Sequence, residues 1–131
     1  MADLNVDIVT PEKSVFSGTA TEVRVPGWLG EFDVLPGHDL FLSLVRGGLL
    51  TVSAGGKDHR FIVGRGFAEA GPDRVSVLVD SALPAEQADL TTAQADLDAA
   101  ETLLTQCGYG SAEWLQAEEA AEFARARLAV R

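Results

Sequence analysis

The chain has 131 residues, of which 47% are hydrophobic, and it carries a formal net charge of −10. That length suits one packed core with a small appendage, and the negative charge argues against nucleic acid or anionic lipid as a partner, because both would repel it. The single cysteine, Cys107, excludes an internal disulfide. No apolar run approaches the roughly 18 residues of a membrane span, and we expect neither a signal peptide nor a transit peptide at the acidic, polar start of the chain.

The first predicted strands contain Leu4, Val6 and Ile8, which alternate with polar residues, and then Val23 and Val25. Alternation of this kind places one apolar face toward a core. Two Pro-Gly pairs follow, Pro26-Gly27 and Pro36-Gly37. Because proline presets the first corner of a type II turn and glycine supplies its positive φ, we predict a turn at each pair and a surface-projecting loop between them.

The predicted loop carries two aromatic residues, Trp28 and Phe32. Exposed aromatic side chains are common anchors in protein interfaces, so both are candidate interface residues. For Phe32 the alternative, packing into the β-domain, is equally consistent with the sequence. In either case such a loop suits docking to a partner and offers no buried catalytic pocket.

Further strand-like runs occupy residues 41–45, 49–52, 61–63 and 75–79. They are separated by segments rich in glycine, proline and aspartate, such as Ala54–Asp58 and Ala70–Asp73, which are typical of turns. Many short strands at close spacing predict a sandwich or flattened barrel.

The composition changes after Pro84: alanine becomes the commonest residue, and glycine recurs only at 108 and 110. Two stripes at helical spacing predict two amphipathic helices, one with Leu90, Ala93, Leu97, Ala100, Leu104 and Cys107, the other with Trp114, Ala117, Ala121, Ala124 and Leu128. The glycines predict a short turn between them and Ser111 an N-cap. The predicted fold class is therefore α+β and mostly β: a β-sandwich over residues 1–84, then an antiparallel two-helix hairpin over 85–131. Because alanine buries little area, we expect the hairpin to be held weakly and able to move.

Charge is unevenly distributed, since residues 75–124 contain ten acidic residues and no lysine or arginine. The cations of the hairpin are Arg125, Arg127 and Arg131, close to its end. A solvated acidic face, with cations suited to the helix C-terminus, is the simplest interpretation.

No constellation of catalytic or metal-binding residues is apparent. The two histidines are His38, expected in a turn or interface, and His59, expected exposed in a polar turn. Cys107 lies on an apolar stripe, and Gly64-Arg65-Gly66 is too short a motif to indicate phosphate binding. We therefore expect no catalytic residue, no metal and no cofactor, and an interaction module rather than an enzyme.

Taken together, the motifs resemble those of the epsilon subunit of bacterial F-type ATP synthase, the counterpart of the mitochondrial delta subunit. The likeness extends over essentially the whole chain and is strongest in Val9-Thr10-Pro11-Glu12-Lys13, Phe16-Ser17-Gly18, Val25-Pro26-Gly27, Gly30-Glu31-Phe32 and Leu35-Pro36-Gly37-His38, with further matches in Gly66-Phe67-Ala68-Glu69 and residues 75–80.

The resemblance implies a non-catalytic subunit of the rotating central stalk, which couples rotation of the c-ring to ATP synthesis. Its implied partners are the γ subunit and the c-ring, with the catalytic β subunits as a further partner of the hairpin. By analogy, Gly30, Glu31, His38 and Asp39 would face the c-ring. The implied location is the cytoplasmic face of the bacterial plasma membrane, held peripherally through the complex, without direct insertion.

Three departures from the family pattern affect these expectations. Asp33 replaces a usual glycine, and Asp39-Leu40-Phe41 replaces Ala-Pro-Leu, which adds negative charge near the expected ring contact. An ATP-binding signature of some relatives survives only as a weak remnant, Asp89 and Arg125, because Thr92 stands where its arginine would be. In the family, the hairpin can dock on an acidic loop of the β subunits and inhibit ATP hydrolysis. Because this hairpin is itself acidic, like charges would weaken that docking, so inhibition would be weak or would rest on Arg125 and Arg127. An ATP-sensing regulatory protein and an unrelated β-sandwich adaptor remain as alternatives.

Overall fold

The computed structural model describes residues 3–130, so Met1, Ala2 and the predicted cation Arg131 lie outside the description. These residues form ten strands, a short 3-10 helix (Ala85–Gln87) and two α-helices. The strands are β1 (Leu4–Val9), β2 (Ser14–Ala20), β3 (Glu22–Gly27), β4 (Gly30–Val34), β5 (Phe41–Val45), β6 (Gly48–Ala54), β7 (Lys57–Val63), β8 (Gly66–Ala70), β9 (Arg74–Val79) and β10 (Ala82–Pro84). The helices are α1 (Leu90–Gln106) and α2 (Ala112–Ala129).

The strands form one sheet in the order β10-β7-β6-β3-β5-β8-β9-β1-β2, with β4 added beside β3. The sheet folds over at the junction of β3 and β5, where Gly27 pairs with Val45 and the Trp28 N–H donates to the Leu44 carbonyl at 2.9 Å. On the far side, Phe16 of β2 packs edge-on against Phe61 of β7, with ring centroids 5.9 Å apart. The result is a nearly closed sandwich followed by two helices, which confirms the predicted fold class.

Alternation along the strands builds the core between the two halves of the sheet. Leu4, Val6 and Ile8 are all buried, as predicted, while their polar neighbours face solvent. The same holds for Val23 and Val25. Each fully buried aliphatic side chain contributes about 1.5–3 kcal/mol, so this repeated inward face supplies most of the driving force for the β-domain.

The first of the two predicted Pro-Gly turns is wrong. Pro26 and Gly27 lie inside β3, Gly27 has no positive φ, and the chain reverses at Trp28-Leu29 instead. The carbonyl of Pro26 points toward β5, where it accepts from Arg46 N–H at 3.0 Å. The missing proline N–H lies on that same side, so the proline removes no hydrogen bond between β3 and β4.

The second Pro-Gly turn is confirmed. Gly37 has φ +90°, and the His38 N–H donates to the Leu35 carbonyl at 3.1 Å, as a type II turn requires. The loop predicted between the two pairs is largely strand β4. His59, expected in an exposed turn, lies in β7 and is half-buried, with its ring 5.7 Å from that of Phe16.

The helical hairpin has the predicted caps and stripes. Ser111 accepts from Trp114 N–H at 3.2 Å and begins α2, and Gly110 has φ +79° in the turn before it. The alanines of both stripes are buried between the helices: Ala93, Ala100, Ala117, Ala121 and Ala124. Leu90, predicted to lie on the first stripe, is instead exposed at the beginning of α1.

Helix α2 also packs against the sandwich, chiefly on β6 and β7. A second hydrophobic cluster forms there around Ile62, Ala85 and Val130, with Leu49 and Phe123 packed against it. The expectation of a weakly held hairpin rested on the alanine stripes, but these stripes join the two helices. Different residues of α2 hold the hairpin to the sheet.

Replacement of Gly66 by alanine should lower the free energy of unfolding by about 2–3 kcal/mol, because a Cβ there would lie 1.9 Å from the Leu78 carbonyl oxygen. Backbone atoms of β9 cannot turn away as a side chain could. Urea unfolding followed by circular dichroism measures the change. Gly108→Ala is the matched control, with no heavy atom within 4 Å of the added Cβ, and its effect should stay within about 0.5 kcal/mol. Equal losses for the two variants would contradict this account.

Candidate functional site

The outer face of the sandwich carries a row of apolar side chains across β5, β8, β9 and β1. Leu44 lies opposite Phe67, Phe67 opposite Leu78, and Leu78 opposite Val9. Leu42 extends the row along β5. These five residues, called the apolar row, are solvent-accessible; Leu42 and Leu44 are 67% and 61% exposed.

The apolar row does not help to form the core, because alternation sends the other face of each strand inward. Ala68 of β8 and Val77 of β9 are buried on that inner face. A shallow groove of about 410 Å3 borders the row and is lined by Val9, Phe67 and Leu78, among others. A contiguous exposed apolar surface of this kind marks a site of protein–protein interaction.

The residues expected to face a c-ring lie in two segments near β5. Gly30 and Glu31 begin β4 at the tip of the β3–β4 hairpin, next to the junction with the end of β5. His38 and Asp39 precede the beginning of β5, where the His38 ring lies 6.1 Å from that of Phe41. Gly30, Glu31 and Asp39 are exposed and His38 is half-buried. The structure therefore places the four residues at the two ends of β5 rather than in one cluster.

The two candidate aromatic residues have different surroundings. Phe32 is half-buried against the core and meets Phe41 edge-on at 5.2 Å, which agrees with the packing interpretation. Trp28 is 47% exposed in the β3–β4 turn, and the Arg65 guanidinium lies over its ring, 5.1 Å from the centroid. Of these two aromatic residues, Trp28 is therefore the one that a partner could contact.

Within residues 3–130, one ion pair connects the sandwich to the hairpin, and sequence reasoning missed it. Arg65, in the loop between β7 and β8, donates to both carboxylate oxygens of Glu122 in α2, through Nη2 to Oε2 at 2.8 Å and through Nε to Oε1 at 3.4 Å. The backbone N–H of Gly47 also donates to Oε1. A Cβ on residue 47 would lie 2.8 Å from that oxygen, so glycine provides the space for the carboxylate. The Gly64-Arg65-Gly66 segment is therefore part of the attachment of α2.

The contacts around Glu122 shift the pKa values of charged residues at the junction between α2 and the sandwich. Burial alone would raise the pKa of Glu122, but the hydrogen bonds from Arg65 and Gly47 hold that pKa below its ordinary value. The pKa of Glu119 is raised, first by burial and then by the neighbouring Asp80 carboxyl at the end of β9. The pKa of Arg65 is raised by its hydrogen bond to Glu122. The α2 junction therefore combines a favourable ion pair, Arg65 with Glu122, with a neighbouring carboxyl group, Glu119, whose charged form is disfavoured.

The remaining candidate residues of the hairpin are held by local contacts. Asp89 caps α1, accepting from the N–H groups of Thr91 and Thr92 at 2.9 and 3.3 Å and from the Thr92 hydroxyl at 3.1 Å, and these bonds lower its pKa. Arg127 reaches across to α1 and donates to Asp96 at 2.6 Å.

Arg125 and Arg127, the hairpin cations that the structure describes, differ in exposure. The Arg127 side chain is only 13% exposed, and its guanidinium lies over the Phe123 ring at 5.1 Å. Arg125 is 55% exposed and lies 3.7 Å from Glu101. Arg127 also lines an apolar groove of about 630 Å3 between the helices, as does Cys107.

Within residues 3–130, no three or more His, Cys, Asp or Glu side chains come together in a way that could hold a metal ion. None of the helices in that part of the chain is long and apolar enough to cross a membrane.

Comparison with known proteins identifies the family. Residues 3–85 match the family model described as "ATP synthase, Delta/Epsilon chain, beta-sandwich domain". The chain belongs to this family. An ATP synthase epsilon chain of Nitratidesulfovibrio vulgaris is 41% identical over 128 residues, covering 98% of this chain and 95% of the relative. The epsilon chain of Desulfosudis oleivorans is 48% identical over 103 residues, covering 78% and 77%.

Solved structures share the fold of this epsilon-family chain. A chain in the Euglena gracilis mitochondrial ATP synthase, in a structure of OSCP, F1 and the c-ring, superposes with a TM-score of 0.82 at 22% identity, covering 96% of this chain and 79% of that one. A chain of the Tetrahymena thermophila central stalk and c-ring gives 0.56 at 13% identity, covering 97% and 92%. The family resemblance stated from the motifs is confirmed, and the unrelated adaptor is excluded.

Replacing Glu119 with glutamine should change how hairpin docking depends on pH. Because its folded pKa is raised, the protonated Glu119 contributes stability that is fully present below its ordinary value of 4.5 and is lost as pH rises through the raised value. The variant stays neutral and should be the more stable protein toward neutral pH, by about 0.5 kcal/mol given the partial exposure.

The measurement is thermal unfolding of both proteins from about pH 4 to about pH 8. Glu12→Gln, an exposed carboxylate change in the turn between β1 and β2, serves as the control and should show no growing advantage as pH rises. An advantage of Glu119→Gln that is constant across this range would contradict the mechanism.

Proposed function

We propose that this chain is the non-catalytic epsilon subunit of an F-type ATP synthase and part of the rotating central stalk. The observation that carries the proposal is the apolar row on the outside of a well-packed sandwich. Such a surface needs a protein partner and contains no reacting group. Relatives of nearly full length bear the name ATP synthase epsilon chain, which supports the same conclusion.

The apolar row is the proposed docking surface for the γ subunit. Its members project from four neighbouring strands, so the surface is rigid, and binding would order few flexible groups. A central apolar patch with a polar rim is the usual composition of a stable interface. Exposed charges beside the row, such as the pair Glu69 and Arg74, would form that rim.

The proposed contact with the c-ring uses Gly30, Glu31, His38 and Asp39, at the two ends of β5. Three of the four are exposed and none belongs to the core. Asp33, the unusual acidic residue of this region, lies 3.7 Å from Arg24. That pairing offsets part of the charge of Asp33. A basic residue on the ring would therefore pair mainly with Glu31 and Asp39.

In this role residues 1–84 form the stalk-binding domain, and residues 85–131 form a regulatory hairpin. The chain would transmit torque between the c-ring and the catalytic subunits. It would lie at the cytoplasmic face of the bacterial plasma membrane, attached through the complex. No cofactor is required for any of these tasks.

The regulatory part of the proposal is weak inhibition of ATP hydrolysis. Of the hairpin cations that the structure describes, Arg125 is exposed, while Arg127 is enclosed between the helices by Asp96 and Phe123. The acidic residues around them would oppose contact with an acidic loop. ATP sensing is not proposed, because both carboxylate oxygens of Asp89 accept hydrogen bonds within the first turn of α1.

Phe67→Gln should weaken binding to the γ subunit of the same organism by about thirtyfold, the effect of losing a central apolar anchor worth about 2 kcal/mol. Binding is measured by titration calorimetry with purified γ subunit, and gel filtration should show a one-to-one complex for the unaltered chain. Arg60→Gln is the matched control, an exposed substitution on β7 that should leave affinity unchanged. Equal affinity for Phe67→Gln and the unaltered chain would refute the assignment of this face.

Removing residues 85–131 should raise ATP hydrolysis by the reconstituted enzyme by less than about fivefold, because exposed ion contacts contribute at most about 1 kcal/mol. Arg125→Gln combined with Arg127→Gln should reproduce most of that rise, and Arg60→Gln in the sandwich should not. Steady-state ATPase assays give the comparison. A much larger activation by the deletion would show that the hairpin inhibits strongly and by other residues.

A further inference from the structure

Arg65 contacts two elements that belong to different parts of the chain. Its guanidinium lies over the ring of Trp28, in the β3–β4 turn, and its edge binds Glu122 in α2. Trp28 is separated from Glu122 by most of the sequence, so Arg65 forms the bridge between turn and helix. The bridge is largely shielded from solvent, because the side chains of Arg65 and Glu122 are 21% and 11% exposed.

The two contacts of Arg65 support each other for a geometric reason. A guanidinium is planar, so its face can stack on an aromatic ring while its edge donates to a carboxylate. Arginine has many rotamers, and whichever contact forms first removes most of that freedom before the second forms. The second contact therefore costs less entropy when the first is already in place.

The carboxylate of Glu122 connects this bridge to the docking of α2. It accepts from Arg65 and from the Gly47 N–H, which has no other hydrogen-bond acceptor among the described contacts. If α2 moves away from the sheet, the Gly47 amide loses its acceptor and becomes open to exchange with solvent. Protection of this one amide therefore reports the docked helix directly.

We infer that Arg65 couples the β3–β4 turn to α2, so that docking of the hairpin and binding of a protein partner at Trp28 strengthen each other. A partner surface that covers the exposed part of the indole holds the ring over Arg65 and excludes water from the ion pair. By linkage, the docked hairpin strengthens binding of that partner by the same factor. The inference rests on the proposed function only in naming the c-ring as the partner at this turn.

The first test needs only the full chain. Trp28→Ala should speed hydrogen exchange of the Gly47 amide by about fivefold, the loss of a partly buried cation–π contact. Leu29→Ala is the matched control, since Leu29 lies in the same turn and is fully exposed. Core amides such as those of Val6 and Val77 should keep their slow exchange, which separates local release of α2 from unfolding of the sandwich.

The coupling itself is tested by adding a second substitution and following amide exchange along α2. In a Glu122→Gln background, Trp28→Ala should speed the release of α2 by less than about twofold, because the ion pair through which Trp28 acts on α2 is already lost. An equal effect in both backgrounds would overturn the inference, since Trp28 and Glu122 would then act independently. No effect of Trp28→Ala in the unaltered background would overturn it as well.

A binding experiment with purified c-ring from the same organism in detergent separates this inference from the proposed function. Added c-ring should slow exchange of the Gly47 amide by about fivefold. Glu122→Gln should weaken c-ring binding by the same factor, because linkage makes the two effects equal. If Glu122→Gln leaves c-ring affinity unchanged, the coupling is overturned and the proposed ring contact stands. Absence of any binding would overturn that ring contact and exclude the c-ring as the partner, and the exchange experiments on the full chain would still decide the coupling.

Discussion

The sheet encloses a core because β3 and β5 meet at a corner where few residues pair. Gly27 is paired with Val45, and two further backbone hydrogen bonds, involving Trp28 and Pro26, complete the junction. Beyond the corner, β5 leads into β8, β9 and β1, whose outer faces carry the apolar row. The corner also determines where the Trp28 turn projects. The interaction surfaces of the β-domain therefore depend on a short stretch of backbone geometry.

The two helices pack against each other and α2 also packs against the sheet, and the alanine stripes indicate only the first of these contacts. Small side chains bring α1 and α2 close together, as buried Ala100 and Ala121 illustrate. Attachment to the sheet uses other residues of α2, chiefly Phe123 and Val130 in the second hydrophobic cluster and Glu122 in the ion pair. Phe123 contributes to both, because it also lines the groove between the two helices.

Much of the fold could be predicted from the sequence, because its determinants are local. Alternation at Leu4, Val6 and Ile8 predicted β1, and Ser111 predicted the beginning of α2. Strand β4 was missed because its residues are mostly polar or glycine, and pairing with β3, as between Arg24 and Asp33, creates it. Such pairing depends on the tertiary path of the chain, which local propensity does not encode.

The candidate site was less predictable for the same reason. The apolar row exists only once four strands are aligned, since its members are spread from Val9 to Leu78. Arg65 and Glu122 are 57 positions apart, and nothing in a run of acidic residues distinguishes the one carboxylate that finds a partner. By contrast, the family motifs indicated the fold and the type of protein because they combine several short-range constraints in one order.

The segment between β10 and α1 sets a mechanical limit on the hairpin. Only residues 85–89 separate the end of β10 from the first residue of α1, and three of them form the 3-10 helix. Stretched fully, the six residue steps from Pro84 to Leu90 reach about 20 Å. Wherever the hairpin is placed, the first residue of α1 therefore stays within about that distance of Pro84 unless part of α1 or β10 unfolds.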